Sequence, residues 1–184
     1  MSNRRSIWIG YDPREAEAFA ACRASIRMRL NLPIPIKGIV LDQLYADGLY
    51  WRETQQRGGQ MWDKISEAPM STQFAISRFL TPHLAGGGKS LFMDCDMLVR
   101  TNLAELFDRC DDSKAVWCVK HQHEPANDTK MDNQIQTRYA RKNWSSVMVF
   151  TDHKANKVLT PGFINAVPGR DLHRFCWLAD DEIG

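Results

Sequence analysis

The segment GGGKSLFMDCDMLVR, residues 86–100, holds two competing signals. GGGKS suggests a phosphate loop with Lys89 and Ser90 gripping a nucleotide. DCD, Asp94 and Asp96 at the end of an apolar run, suggests a divalent metal. A Walker loop needs G-x-x-x-x-G-K-[ST] between a strand and a helix, so that backbone N–H groups and the helix dipole face the phosphates. Its first glycine would stand at residue 83, which is His83, and the glycines here follow a helical pattern and precede a strand. They read as C-cap and turn residues. The carboxylates fit better. In an extended segment side chains alternate faces, so Asp94 and Asp96 share one face while Cys95 points away. Carboxylates at the carboxyl end of a central strand stand where open α/β sheets bind ligands. Paired hard oxygens suit Mg2+ or Mn2+. The plain alternative, one aspartate capping a helix and the other merely exposed, is weakened by the buried-strand pattern SLFM before the pair and the short helix after it.

Outward from this segment the chain reads as alternating strands and helices. SIWIG, residues 6–10, is a short buried strand. It leads into a helix with Asp12 as N-cap, Pro13 in the first turn and Glu15 completing a capping box. Phe19, Cys22, Ile26 and Leu30 fall on one helical face. IPIKGIVL, residues 34–41, is a second strand, so the start of the chain is a βαβ unit. Residues 42–51 suggest a short helix and residues 52–60 a polar loop. STQFAISRFLTP predicts a helix capped at Ser71 or Thr72 and ended by Pro82. TNLAELFD predicts a helix capped by Thr101 or Asn102. AVWCV and SSVMVF are further strands, separated by a long polar stretch, residues 120–143, that reads as a lid, an acceptor wall or a surface loop.

The 184 residues suffice for one well-buried domain and are few for two, and 43% hydrophobic with 25% charged residues is a globular composition. A net charge of +2 gives no electrostatic reason to expect nucleic acid. No apolar run is long enough for a membrane span, and the N-terminus has no signal-peptide pattern. Five cysteines without a CxxC pair suggest reduced thiols in a cytoplasmic protein.

Residues 74–108, FAISRFLTPHLAGGGKSLFMDCDMLVRTNLAELFD, resemble glycosyltransferase family 8 and its GT-A relatives. Arg78, Phe79, Pro82, Leu91 to Met93, Asp94, Asp96, Leu103, Glu105, Leu106 and Phe107 fall on the family pattern. IWIGYDPRE is similar to its first strand, SSVMVF to its N-[ST]-G-V-[ML] strand, and WLADDEIG to its late acidic segment. The resemblance implies a GT-A type Rossmann-like α/β sandwich with a mixed, mostly parallel central sheet flanked by helices, a single domain over 1–184 whose C-terminal part is incomplete. It implies a metal-dependent transferase moving a sugar from a nucleotide diphosphate donor, UDP-linked in most such enzymes, to a glycan, lipid-linked or protein acceptor, with retention.

On that resemblance Asp94 and Asp96 hold Mn2+ or Mg2+ against the diphosphate, and Arg78 supplies a second positive charge toward phosphate or sugar. Gly10, Tyr11 and Asp12 face the base and ribose, with Asp12 equally readable as a plain N-cap. Ser145 occupies the sugar-contact segment, and Asp180 and Asp181 stand as the carboxylates near the anomeric carbon. Two departures from the pattern stand out. Trp144-Ser145-Ser146 replaces Asn-[Ser/Thr]-Gly, and the downstream metal-ligating histidine segment has no counterpart, His121 and His123 being the nearest substitutes. The rival readings are a degenerate, metal-free carbohydrate-binding or structural protein of the same fold, and a Mg-dependent phosphatase of the haloacid dehalogenase type. The latter places its D-x-D near the N-terminus, whereas Asp94 follows two earlier strands.

Overall fold

A computed structural model of the chain describes residues 4–121 and 141–184. His123 and most of the polar stretch, residues 122–140, lie outside the described residues.

Strand β1 (Arg5–Gly10), helix α1 (Ala16–Arg29) and strand β2 (Ile36–Ile39) form the expected βαβ unit, with β1 and β2 parallel. Cys22 and Ile26 of α1 are buried, and Phe19 and Leu30 pack against the same core, as their spacing requires. Asp12 does cap this region: its Oδ1 accepts from the Arg14 amide at 3.0 Å, starting a 3-10 turn over Pro13–Glu15. Glu15 does not complete a capping box. Its carboxylate accepts from the Cys95 thiol at 3.1 Å. Burial and that facing carboxylate push the Cys95 thiol up, so it stays a protonated donor.

Helix α2 (Leu41–Ala46) follows, and then the chain departs from expectation. The predicted polar loop is a hairpin of β3 (Thr54–Arg57) and β4 (Gln60–Asp63), extended by β5 (Ala68–Met70) into a three-stranded antiparallel sheet. Gly58 and Gly59, at φ of 56° and 81°, make its two-residue turn. The predicted helix over residues 71–82 is also corrected. Only a 3-10 turn at Ser77–Leu80 and helix α3 (Thr81–Ala85) form, and Pro82 stands in the first turn of α3 instead of ending a helix. Phe74 to Leu80 are buried without interruption, so no amphipathic period could have shown the boundary.

Strand β6 (Lys89–Met93), helix α4 (Leu103–Arg109), strand β7 (Val116–Cys118) and strand β8 (Val147–Phe150) complete the main sheet in the order β2-β1-β6-β8-β7. Asn102 caps α4 by accepting from the Ala104 amide. β1, β2 and β6 are parallel, β8 runs against β6, and β7 runs against β8. Four of the five strands therefore point one way, the mixed, mostly parallel sheet expected. Helices α5 (Pro161–Ala166) and α6 (Gly169–His173) close the C-terminal side. The last residues lie beside β7 through a parallel bridge between Val116 and Ile183. The five cysteines are free thiols. Among the described residues no helix is long and apolar enough to cross a membrane.

Glycine is demanded at two places that the opening motif and the first strand supply. Gly88, at φ 78°, ends the turn into β6, and a Cβ there would stand 2.3 Å from the Arg4 carbonyl oxygen. GGGKS is thus a turn, as the sequence indicated. At Gly10 a Cβ would stand 2.4 Å from the Phe74 ring. Because Phe74 is wedged in the core, Gly10→Ala is expected to cost about 1–3 kcal/mol by overpacking, read as a lower urea midpoint at unchanged m-value.

Candidate functional site

The sheet order decides where the chemistry gathers. β8 runs against β6, so the start of β8 meets the end of β6, Val147 opposite Met93. The segment before β8 thus reaches the carboxyl edge of the parallel strands. There the Asp94 amide donates to the Ser146 carbonyl at 2.9 Å. Arg78, from the 3-10 turn Ser77–Leu80, enters the same point and donates from Nη1 to the Ser145 carbonyl at 2.9 Å.

Arg78 also lies 2.9 Å from Asp94 Oδ1. That oxygen is buried without an aligned hydrogen bond, so the approach is an ion pair and not a bidentate fork. Burial raises the Asp94 carboxyl above its ordinary value, and Arg78 pulls it back only in part. The guanidinium packs over the rings of Phe92 at 4.9 Å and Phe74 at 5.3 Å, and its Nε donates to the Ala75 carbonyl. The two aromatic faces and these backbone and ionic contacts hold its charge in place.

This pair forms part of the wall of a cleft of about 530 Å³. Ser145, Lys142, Arg170 and His173 line the same cleft, as does Glu67 at its rim. The far wall comes from the small sheet. Arg52 and Asp63, both buried, join through Nε–Oδ1 at 2.9 Å and a second close contact. Arg52 also donates to the carbonyls of Ile164 and Val167, each at 2.7 Å, tying the small sheet to α5.

The remaining residues singled out in the sequence fall into three groups. Asp96 is exposed in the turn after β6, where the chain has left the extended conformation that would put it on the face of Asp94. Its charge still acts on both Asp94 and Cys22. Gly10 and Asp12 serve packing. Burial raises the Asp12 carboxyl, but hydrogen bonds from Arg14 and the Gln73 amide outweigh it and leave it below the ordinary value. Both its oxygens are engaged: Oδ1 by Arg14, Oδ2 by Arg14 and Gln73. Tyr11 meets Phe19 edge-on at 5.1 Å.

Asp180 and Asp181 are not among the residues lining the cleft. They belong to a 3-10 turn, Asp180–Glu182, beside the β7 edge, two strands away from β6. Asp180 pairs with Arg141, and the Asp181 carbonyl accepts from Lys114. Lys142, Arg170 and His173 carried no motif. His173 alone had a legible hint, a histidine after the helix-starting Pro168-Gly169.

Of the two aspartates expected to hold a divalent metal, Asp94 lines the cleft and Asp96 does not. Among the described residues no group of three or more His, Cys, Asp or Glu gathers to hold one. Mg2+, however, is commonly bound through one or two carboxylates, with water and substrate phosphates completing the shell. Asp94 is one such carboxylate in the cleft wall, its Oδ1 already paired with Arg78, and Asp96 lies outside the lining but close enough for its charge to act on Asp94.

No protein-family model matches the chain. A curated relative, Protein CDI of Arabidopsis thaliana, is 45% identical over 180 residues, 97% of this chain. The chain spans 65% of that relative's length. Among solved structures, the crystal structure of the glycosyltransferase GlyE from Streptococcus pneumoniae TIGR4 superposes with a TM-score of 0.52 at 13% identity. The match covers 99% of this chain and 45% of that one. The apo bifunctional glycosyltransferase WbbM gives 0.48 at 14% identity, covering 92% and 38%. The likeness to GlyE is one of fold, and it agrees with the GT-A type sandwich expected from the sequence.

Proposed function

We infer that the chain is the core of a glycosyltransferase that seats a nucleotide diphosphate sugar in the Arg78–Asp94 cleft and passes the sugar to a hydroxyl acceptor. The observation that carries this is an ion pair between buried Arg78 and partly buried Asp94 in the wall of a cleft of about 530 Å³, at the carboxyl edge of a mostly parallel sheet. Such edges are where α/β sheets bind nucleotides. The printed description of GlyE as a glycosyltransferase agrees with it.

The donor is a UDP-sugar, and the acceptor a glycan, lipid-linked or protein hydroxyl. Asp94 and Asp96 would hold Mn2+ or Mg2+, which neutralises the leaving diphosphate when bound. Arg78, fixed between two phenylalanine rings, offers a preorganised cation to the same oxyanions. Lys142 and Arg170 add charge of the same sign on the adjoining wall. Transfer with retention follows from the family resemblance and is read from the anomer of the product by NMR.

Calorimetry with UDP tests the reading. UDP should bind, and Mn2+ should tighten it about tenfold or more, worth ~1.4 kcal/mol. Asp96→Asn should erase the gain while leaving metal-free binding within about twofold. UDP binding that is absent, or indifferent to Mn2+, turns the assignment to a fold-inheriting binding protein.

A further inference from the structure

Resting on the nucleotide-sugar reading of the cleft, we propose that Glu67 and Arg170 form its acceptor subsite, and that the acceptor is a polyhydroxylated molecule carrying an anionic group, a phosphate or a carboxylate. Both residues line the cleft. One contact brings them together. The Gly169 amide donates to Ser66 Oγ at 2.8 Å, so the residues that follow, Glu67 and Arg170, leave neighbouring points of the backbone.

The base under them is held from below. The Ser66 amide donates to Asp63 Oδ2 at 2.7 Å, and its hydroxyl accepts from Arg52 Nη2 at 3.2 Å, so the buried Arg52–Asp63 pair fixes Ser66. Gly169 is buried, and a Cβ there would stand 3.1 Å from Ser66 Oγ and 3.3 Å from the Ile76 side chain. The missing side chain is what lets the two segments come this close. Support of this kind is what a recognition site requires beneath the groups that touch its ligand.

Two charges stand on this base. Among the described residues neither the Glu67 carboxylate nor the Arg170 guanidinium makes an ion pair or a hydrogen bond, and both residues are exposed. Either one alone would read as a solvated surface charge. Glu67 departs from that reading, because its φ of 47° is left-handed backbone that glycine or asparagine adopts at less cost. A glutamate kept there, on a clamped base in a cleft wall, points to a use for its side chain.

Their place selects the acceptor. Arg78 and Asp94 stand at the carboxyl edge of the main sheet, where the diphosphate is read, whereas Glu67 lies between β4 and β5 of the small sheet that makes the far wall. A planar guanidinium matches phosphate or carboxylate through two parallel N–H donors. A carboxylate accepts from hydroxyls and repels a second anion. Glu67 therefore draws the polyol end of the acceptor toward itself and leaves the charged end to Arg170.

The test follows UDP release by the full chain from a panel of UDP-hexoses, with glucose, glucuronate and glucose 6-phosphate as acceptors and water as the reference. The two anionic sugars separate carboxylate from phosphate. At least one of them should raise release above hydrolysis with a KM about tenfold or more below that of glucose, the scale of one charge-assisted contact. Arg170→Gln should erase this preference, raising the KM of the anionic sugar about tenfold or more while that of glucose moves by less than about threefold. Glu67→Gln, which matches the carboxylate in shape, and Glu67→Asn, which suits left-handed backbone, should each raise the KM of both sugars about tenfold. Glu67→Asn should also keep or raise the urea midpoint. In every variant the change in acceptor KM should exceed the change in UDP affinity, measured in parallel by calorimetry.

The proposal is overturned if neither anionic sugar is preferred to glucose, if Arg170→Gln weakens UDP as much as the acceptor, or if both Glu67 variants keep the wild-type acceptor KM. In each of these cases a wild type that binds UDP and hydrolyses donor leaves the reading of the cleft standing. A wild type that neither binds UDP nor hydrolyses any donor sinks the reading of the cleft and this proposal together.

Discussion

Arg52→Met should lower folding stability by about 3–5 kcal/mol, the largest loss expected of any single substitution in the molecule. Arg52 is 1% exposed and Asp63 0%. Removing the guanidinium strands a buried carboxylate and leaves the Ile164 and Val167 carbonyls without their donor. The double variant Arg52→Met, Asp63→Leu removes both charges and should recover most of the loss, since a well-packed apolar pair is often as stable as a buried ion pair. Urea unfolding of the two single variants and the double variant gives the coupling directly; a double-variant loss equal to the sum of the two single losses would show that the pair itself contributes nothing.

The same pair sets an acid limit. Burial raises the Asp63 carboxyl, but hydrogen bonds from Arg52 and Ser66 outweigh it and leave the folded value below the ordinary 3.8. A depressed folded value contributes stability that is complete above the unfolded value and lost as pH falls through the folded one. The contribution is therefore constant from pH 5 to 8 and fades only below about pH 4. The clamp also reaches the site. Ser66, which donates its amide to Asp63, accepts from the Gly169 amide at 2.8 Å, at the start of the helix that carries His173. Loss of Arg52 should loosen the cleft as well as the fold.

Arg52 and Asp63 show why some of this molecule was hidden in its sequence. They stand eleven residues apart, Arg52 at the start of what reads as a polar loop and Asp63 just past its end, and the Gly58-Gly59 turn brings them together. That dipeptide between TQQR and QMWD was the available hairpin signal, but both runs are too polar to read as strands without it. The βαβ start and β6 were legible because burial on one or both faces leaves a periodic or continuous apolar record. The stretch from Phe74 to Leu80 left no such record, since burial on every side erases the period that would separate a 3-10 turn from an α-helix. Of the site, Asp94 and Arg78 were readable because the strand and the apolar flank frame them. Lys142, Arg170 and His173 reach the cleft from residues far along the chain, gathered by the antiparallel course of β8 and the packing of α6. Asp180 and Asp181 looked like site residues by position alone, and the strand order puts β8 and β7 between them and β6.

Asp94→Asn should separate function from stability. The amide matches the carboxylate in shape but carries no charge to hold a cation or to balance Arg78, so donor hydrolysis is expected to fall about 100-fold or more, ~2.7 kcal/mol of lost transition-state stabilisation. Folding stability should move the other way at neutral pH. Burial, opposed only in part by Arg78, raises the Asp94 carboxyl above its ordinary value. A carboxyl with a raised folded value favours the folded state while it is protonated, and that benefit is lost as pH rises through the folded value. The wild type should thus lose stability relative to Asp94→Asn between pH 4 and 7, because the amide stays neutral throughout. Urea unfolding at both pH values, in EDTA so that no metal rewards the carboxylate, reads the difference. A variant that is less stable than wild type by the same amount at both pH values would mean that the Arg78 pair outweighs burial, and that Asp94 is a structural anchor. The combination of lost activity with gained stability is what a site built to await a cation predicts: a carboxylate kept in a place where, without its ligand, it costs the fold.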